Sequence, residues 1–207
     1  MEDLRDLEAL QLDALKEVAN IGAGHAATAL SQLTDRRIMI DVPEIMVTDL
    51  DGLSDLLVAT DRVVAAVLMH MLGDLTGRTL LMIPEENAKL LCDLLLKRDP
   101  GTTQSFEELE RSSLKEAGNI LGGAYMNALS DFMGMMLLPS VPSLAIDLAS
   151  AVVTTAHLSF GRDRDYVFCV ETDFHFEEAD RKLKGHFLLL PDLASLKEIL
   201  KAIRLMG

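Results

Sequence analysis

The chain has no tryptophan, two tyrosines and seven phenylalanines among 207 residues. A core without aromatic bulk must be packed by Leu, Ala and Val, with the 11 methionines filling irregular gaps. Cysteine is nearly absent: Cys92 and Cys169 stand far apart and belong to no partner motif. That excludes a disulfide framework and a cysteine zinc site. Both fall in apolar runs and are expected as buried thiols of a reducing, cytoplasmic compartment. Basic residues are scarce, 19 against 33 acidic, for a formal net charge of −14. An acidic chain without a basic run excludes nucleic acid and anionic lipid as natural partners, and the acidity itself reads as solubility. The most lipid-like window, GMMLLPSVPSLAIDLASAVV (134–153), is broken by Pro139, Pro142 and Asp147. No membrane insertion is expected there, and buried strands account for it better. The opening MEDLRDLEAL is acidic and not signal-like.

What is present alternates between two periods. Residues 3–33 place Leu4, Leu7, Leu15, Val18 and Ala19 on one side at helical spacing. RIMIDVPEIMV, from Arg37, reads as extended, with Pro43 marking an edge or a bend. The runs 63–72 and 78–84, around the turn GDLTG, predict a hairpin. Pro84 starts a helix to about residue 98. DPGTTQS (99–105) is a linker, and Ser105 with Glu108 forms a candidate capping box for a helix to about 133. Extended segments follow near 135–142, 150–159, 166–176 and 184–190, and Pro191 opens a last helix to about 205.

The second half repeats the first. DALKEVANIGAGHAATALSQL from Asp13 aligns without gaps to SSLKEAGNILGGAYMNALSDF from Ser112, an offset of 99. Between 13 and 43, eleven of 31 positions are identical, among them Leu15/Leu114, Lys16/Lys115, Glu17/Glu116, Asn20/Asn119, Gly24/Gly123 and Pro43/Pro142. TGRTLLMIPEE resembles LKGHFLLLPDL more loosely. The fold class expected is α/β: a duplicated, pseudo-two-fold helix–strands–helix unit with helices on a largely antiparallel sheet. Each half (about 1–99 and 105–207) is a marginal core alone, so residues 1–207 are expected as a single domain.

The repeat disposes of a tempting motif. GAGHAA at 22–27 has the opening of a dinucleotide-binding fingerprint. That fingerprint needs a strand before its glycines, and DALKEVAN reads as helix. In the second copy Gly22 becomes Leu121, so the spacing is lost. The retained pair Gly24/Gly123 is expected to let another backbone pack closely.

The repeat also retains polar residues. On a helix, Asp13, Glu17 and Asn20 fall within roughly 60° of one another, opposite Leu15, Val18, Ala19 and Gly22. Ser112, Glu116 and Asn119 repeat the arrangement opposite Leu114, Ala117, Gly118 and Leu121. From the residues alone, two readings stand: a solvated face preserved by common ancestry, or a functional carboxylate–carboxamide couple present twice. A small-molecule enzyme is disfavoured, because no nucleophile–base pair or ligand cluster is evident and the five histidines are scattered.

The pattern [D/S]-x-x-x-E-x-x-N, with Pro 23 residues after the Asn, resembles the motif of the CheC-type chemotaxis phosphatases, a family that includes CheX and FliY. The resemblance covers nearly the whole chain. Two intact motifs set it with CheC rather than with CheX, a single-motif relative, and the length leaves no room for the extra domain expected of FliY. One departure is Ala19, where Gly is usual before the Asn; Gly118 keeps it.

The resemblance implies hydrolysis of the aspartyl phosphate of the chemotaxis response regulator CheY. It implies catalytic residues Glu17, Asn20, Glu116 and Asn119, with motif support from Asp13, Ser112, Pro43 and Pro142. It implies no cofactor of the chain's own; the divalent cation, Mg²⁺, would come with the regulator. It also implies a second partner, the receptor deamidase CheD, with contact expected around Tyr125 to Asp131 or near Asp147. The alternative is a non-catalytic adaptor that binds CheD or the regulator.

Overall fold

The two long helices end in step. Among the described residues α1 spans Ala9–Thr34 and α3 spans Glu108–Met133, their ends again offset by 99. Each is followed by a residue in the left-handed region, Asp35 (φ 59°) after α1 and Gly134 (φ 64°) after α3. Gly adopts that conformation without steric cost, and Asp tolerates it better than most residues. The computed structural model describes residues 9–48, 62–160, 167–176 and 181–204. Leu4 and Leu7, expected on the α1 stripe, lie outside the described residues.

The remaining described elements are β1 (Ile38–Asp41), β2 (Ile45–Thr48), β3 (Val63–Gly73), β4 (Gly77–Pro84), α2 (Glu85–Leu95), β5 (Leu137–Pro139), β6 (Ser143–Leu148), α4 (Ala149–Phe160), β7 (Val167–Phe176), β8 (Arg181–Pro191) and α5 (Leu193–Arg204). The expected hairpin is β3–β4, paired from Val64↔Pro84 to Met71↔Gly77. All eight strands form one antiparallel sheet. Its path is β1-β7-β8-β4-β3-β5, with β2 also on β7 and β6 also on β3.

The order shows an exchange. The short strands of the first half, β1 and β2, pair with β7 of the second. The short strands of the second half, β5 and β6, pair with β3 of the first. The two hairpins meet at β4–β8, in register from Gly77↔Pro191 to Met82↔His186. Helices α1, α2 and α3 cover one face of the sheet, burying Ala23, Ala26, Leu30, Leu91, Leu114 and Leu121 against Val67, Leu81 and Ile83. On the other face, α4 packs Ala149, Val152 and Val153 over Val64, Leu80, Met82, Cys169 and Leu188. Helix α5 adds Leu196 and Ile199 to a cluster containing Leu15, Val18, Met126 and Leu129. Both cysteines are buried, and burial pushes the Cys92 thiol up to about 11 and Cys169 to about 12.

Helices α1 and α3 approach closely where Gly22 faces Tyr125. A Cβ at Gly22 would lie 2.6 Å from Tyr125 Cδ1 and 3.0 Å from its Cα. The Tyr125 ring then stacks at a tilt on Phe187, centroids 4.5 Å apart. On α3, Gly118 and Gly122 do the same for the sheet: added Cβ atoms would meet Val67 Cγ1 at 2.5 Å and the Met69 methyl.

Three local expectations are corrected. Residues 150–159 are helix α4, not extended. The β-branched run VVTT suggested a strand, but Ala149, Val152 and Val153 fall at i, i+3 and i+4 and bury one helical stripe. The lipid-like window is therefore part helix, and its strand β6 alternates between exposed and half-buried residues rather than being buried. The Ser105–Glu108 capping box does not form: α3 starts at Glu108, its N-cap is Glu107, and the Ser105 hydroxyl donates to Glu107 Oε1 at 3.0 Å. The linker is instead held by Asp93 of α2. Its buried carboxylate accepts the N–H groups of Gly101, Thr102 and Thr103 at 2.7, 3.1 and 2.8 Å, and the Thr103 hydroxyl at 2.6 Å. Beside it Arg98 pairs with buried Glu110 at 2.5 Å. That guanidinium holds the Glu110 carboxyl below its ordinary value.

Three outcomes follow. Gly22→Ala lowers Tm by about 2–6 °C in a thermal scan, because the clash outweighs the roughly 1 kcal/mol gain in helix propensity. Arg98→Ala costs about 1–3 kcal/mol in urea unfolding at pH 7. Since the folded-state value of Glu110 is depressed, its contribution is complete above the unfolded value near ~4.3 and fades as pH falls through the folded one. The Arg98→Ala difference therefore shrinks as unfolding is repeated toward pH 3. Finally, the strand exchange supports our proposal that the halves are one cooperative unit. Residues 1–99 and 105–207 expressed separately should give no dispersed NMR spectrum, while the whole chain unfolds in a single transition; a folded isolated half would refute this.

Candidate functional site

Helix α1 buries one side and leaves the other to solvent. Leu15, Val18, Ala19, Gly22, Ala23 and Ala26 are buried, while Asp13, Glu17, Asn20, Ile21 and Gly24 are exposed. Helix α3 follows the same plan: Leu114, Ala117, Gly118 and Leu121 are buried, Ser112 and Glu116 are exposed, and Asn119 is half-buried. Packing of the apolar stripes thus fixes the opposite polar stripes outward. The carboxylate and carboxamide, three residues apart, stand side by side on each helix.

None of Glu17, Asn20, Glu116 and Asn119 makes a side-chain hydrogen bond or ion pair with another described residue. An Asn amide with no partner in its own chain keeps both its donors and its acceptor for a visitor. The same holds for the acceptor oxygens of the two glutamates.

The two prolines lie where the chain turns beside these helices. Pro43 is exposed between β1 and β2, and Pro142 is half-buried between β5 and β6. Lys16 Nζ donates to the Pro43 carbonyl at 2.8 Å, tying α1 to the corner after β1. Sequence reasoning did not single out Lys16 as a brace; its identity with Lys115 in the repeat was the available signal.

Two expectations fail here. Tyr125 is 6% exposed, its ring under Gly22 and its hydroxyl 3.4 Å from Thr172 Oγ1. Burial pushes its phenol up to about 12. It is a core residue and not part of a partner surface. Asp131 and Asp147 are exposed, and Asp147 Oδ1 accepts the N–H of Leu148 at 2.8 Å. The second failure concerns Gly24 and Gly123. Neither lets another described backbone pack closely, because an added Cβ at either would meet no described atom within 4 Å. Within the two long helices the close-packing glycines are Gly22, Gly118 and Gly122, which the repeat does not pair with one another.

The arrangement suits encounter with a macromolecule rather than enclosure of a small one. An apolar cavity lies under α1 and α3, lined by Leu15, Val18, Tyr125, Phe168 and Phe187, but it sits on the buried side of the helices. Among the described residues, no group of three or more His, Cys, Asp or Glu side chains is placed to hold a metal ion. No helix among them is long and apolar enough to cross a membrane.

Comparison with known proteins gives the following. A family model described as the CheC-like family matches twice, at residues 10–47 and 109–146, the same offset of 99 as the repeat. The CheY-P phosphatase CheC of Bacillus subtilis is 33% identical over 195 residues, covering 93% of each chain. The crystal structure of FliY from Thermotoga maritima superposes with a TM-score of 0.78 at 22% identity, covering 98% of this chain and 100% of that one. A chain from the CheX–CheY–BeF3–Mg²⁺ complex of Borrelia burgdorferi shares the fold more distantly, with a TM-score of 0.50 at 14% identity, covering 82% of this chain and 95% of that one.

Proposed function

The chain belongs to the CheC-like family, and from that premise we propose that it is a phosphatase that hydrolyses the aspartyl phosphate of a CheY-type response regulator. The finer part of the proposal is that it does so at two sites, Glu17 with Asn20 and Glu116 with Asn119. The observation that carries it is the twofold presence of an outward, internally unpartnered Glu/Asn couple on equivalent helix faces. The relative that is 33% identical is itself named a CheY-P phosphatase.

The chemistry asks little of this chain. An acyl phosphate carries a good leaving group, and phosphoryl transfer proceeds through a loose transition state. Catalysis is then mainly positioning and charge stabilisation. An Asn carboxamide can hold the attacking water in line with the scissile P–O bond, as a Gln does in GTPases. Water attacks phosphorus, the P–O bond to the aspartyl carboxylate breaks, and the products are inorganic phosphate and a free carboxylate. No strong base is needed. The Glu serves better as a docking anion, paired with a cation on the regulator. Asp13 and Ser112, one turn earlier, extend that docking contact. Lys16, through the Pro43 carbonyl, steadies the neighbouring corner.

Mg²⁺ in this reading belongs to the regulator's phosphorylation pocket. The fold relative crystallised with CheY, BeF3 and Mg²⁺ lends support. A contact with a CheD-type deamidase, or an adaptor role toward it or the regulator, would have to use exposed residues of that stretch such as Asp131, or those near Asp147, since Tyr125 is buried.

The test is the decay of phosphorylated CheY-type regulator. Asn20→Ala and Asn119→Ala each retain about half the rate when the sites contribute equally, and the double variant falls to about 1% or less. Circular dichroism should be unchanged and Tm should not fall, because neither side chain is bonded to another described residue and Ala is the better helix former. A double variant as fast as wild type would remove both sites from the mechanism.

A further inference from the structure

Five glycines lie inside the two long helices: Gly22 and Gly24 in α1, Gly118, Gly122 and Gly123 in α3. Glycine weakens a helix interior, so each calls for a reason. Three have one in the fold: a Cβ at Gly22, Gly118 or Gly122 would press into Tyr125, Val67 or Met69. Gly24 and Gly123 have none. Among the described residues nothing lies within 4 Å of a Cβ built at either, and neither has a positive φ. These two are also the pair that the duplication holds at the same place, 99 residues apart.

Their direction on the helix is the telling feature. At about 100° per residue, Gly24 falls some 20° from Glu17 and 40° from Asn20, inside the arc spanned by Asp13, Glu17 and Asn20. Gly123 stands in the same relation to Ser112, Glu116 and Asn119. Each glycine is four residues after the Asn, so it covers the next turn of the same stripe, exposed at Gly24 and half-buried at Gly123. With no side chain at Gly24 or Gly123, the helix surface steps down directly beside each amide. A residue with no internal reason to be small, repeated beside a site that must enter another protein's pocket, is small for the other protein.

Resting on the phosphatase reading above, we propose that Gly24 and Gly123 are specificity-determining docking positions: each leaves room for the backbone at the rim of the regulator's phosphorylation pocket, so that the neighbouring Asn reaches the phosphoryl group. They position the partner and do not touch the reacting atoms.

The two roles a glycine can play separate cleanly under substitution. Gly24→Ala and Gly24→Leu are made in a Glu116→Lys/Asn119→Ala background, so that only the first site docks and acts; Gly123→Ala and Gly123→Leu are made with Glu17→Lys/Asn20→Ala. Tm is measured with KM and kcat on the phosphorylated regulator, and with affinity for the regulator loaded with BeF3 and Mg²⁺. Each alanine variant should raise Tm by about 2–4 °C, since helix propensity improves and nothing is displaced. KM and the BeF3-complex Kd should rise together, by about 3-fold or more for Ala and about 20-fold or more for Leu, with kcat at saturation near that of the parent. Variants that gain stability yet keep KM and Kd within twofold of the parent would overturn the docking role, and so would variants that lose stability, which would reveal an internal role. A wild-type chain that leaves the regulator's phosphate untouched would overturn the phosphatase reading itself, and that is seen before any glycine is changed.

Discussion

The contact between α1 and α3 sets the rest of the molecule. Gly22 removes a side chain where Tyr125 must pass, and the Tyr125 ring carries that contact down to Phe187 of the sheet. Because the buried stripes of both helices are pinned there, the opposite stripes have only one direction left. The outward presentation of Glu17, Asn20, Glu116 and Asn119 is thus a consequence of packing on the far side of each helix. It does not require a single hydrogen bond at the site itself. The strand exchange reinforces the arrangement: each half supplies a hairpin on which the other half lays its short strands. On our proposal that the halves form one unit, each helix face has strands of both halves behind it.

A phosphatase built this way differs from an enzyme with a pocket. Glu17, Asn20 and Glu116 are exposed and Asn119 is half-buried, so they cost little desolvation when the protein is alone. In the proposed mechanism the low-dielectric environment that makes an amide effective in the transition state has to come from the partner. Reactivity would then arise only in the complex, confined to proteins whose surface accepts the helix. The acidity of the chain does not oppose this, because the glutamates on the stripe are suited to meet a cation there.

Much of this was legible in the residues. The repeat at offset 99, the helix that contradicts the dinucleotide fingerprint, the β3–β4 hairpin and the polar arcs all follow from period and spacing, and the structure bears them out. What failed, failed for tertiary reasons. The VVTT run of α4 has strand propensity, and only the sheet face beneath Ala149, Val152 and Val153 makes it helical. Ser105 has the capping-box spacing, yet Asp93 fixes the preceding loop and α3 starts later. Tyr125 looks like an amphipathic surface residue until Gly22 is seen to cover it. The glycines divide in the same way: internal identity marks Gly24 and Gly123, but the helix glycines that pack against described neighbours are Gly22, Gly118 and Gly122.

Duplication explains why the two faces agree in chemistry and differ in surroundings. Val42 and Val141 occupy equivalent positions just before the motif prolines, yet Val42 is 4% exposed in the main core and Val141 is 88% exposed. Asn20 is open to solvent and Asn119 is half-buried. Ile21 projects from α1, whereas Ile120 packs partly onto the core. The Glu, the Asn and the open glycine are kept in both copies, while the apolar frame beside them has drifted. That is the pattern expected when the catalytic requirement is a few groups in one arc and the remaining surface is tuned by shape. On the proposed two-site reading, the faces offer a partner the same Glu and Asn inside different frames, and differences between them should lie in how the regulator docks rather than in how water attacks.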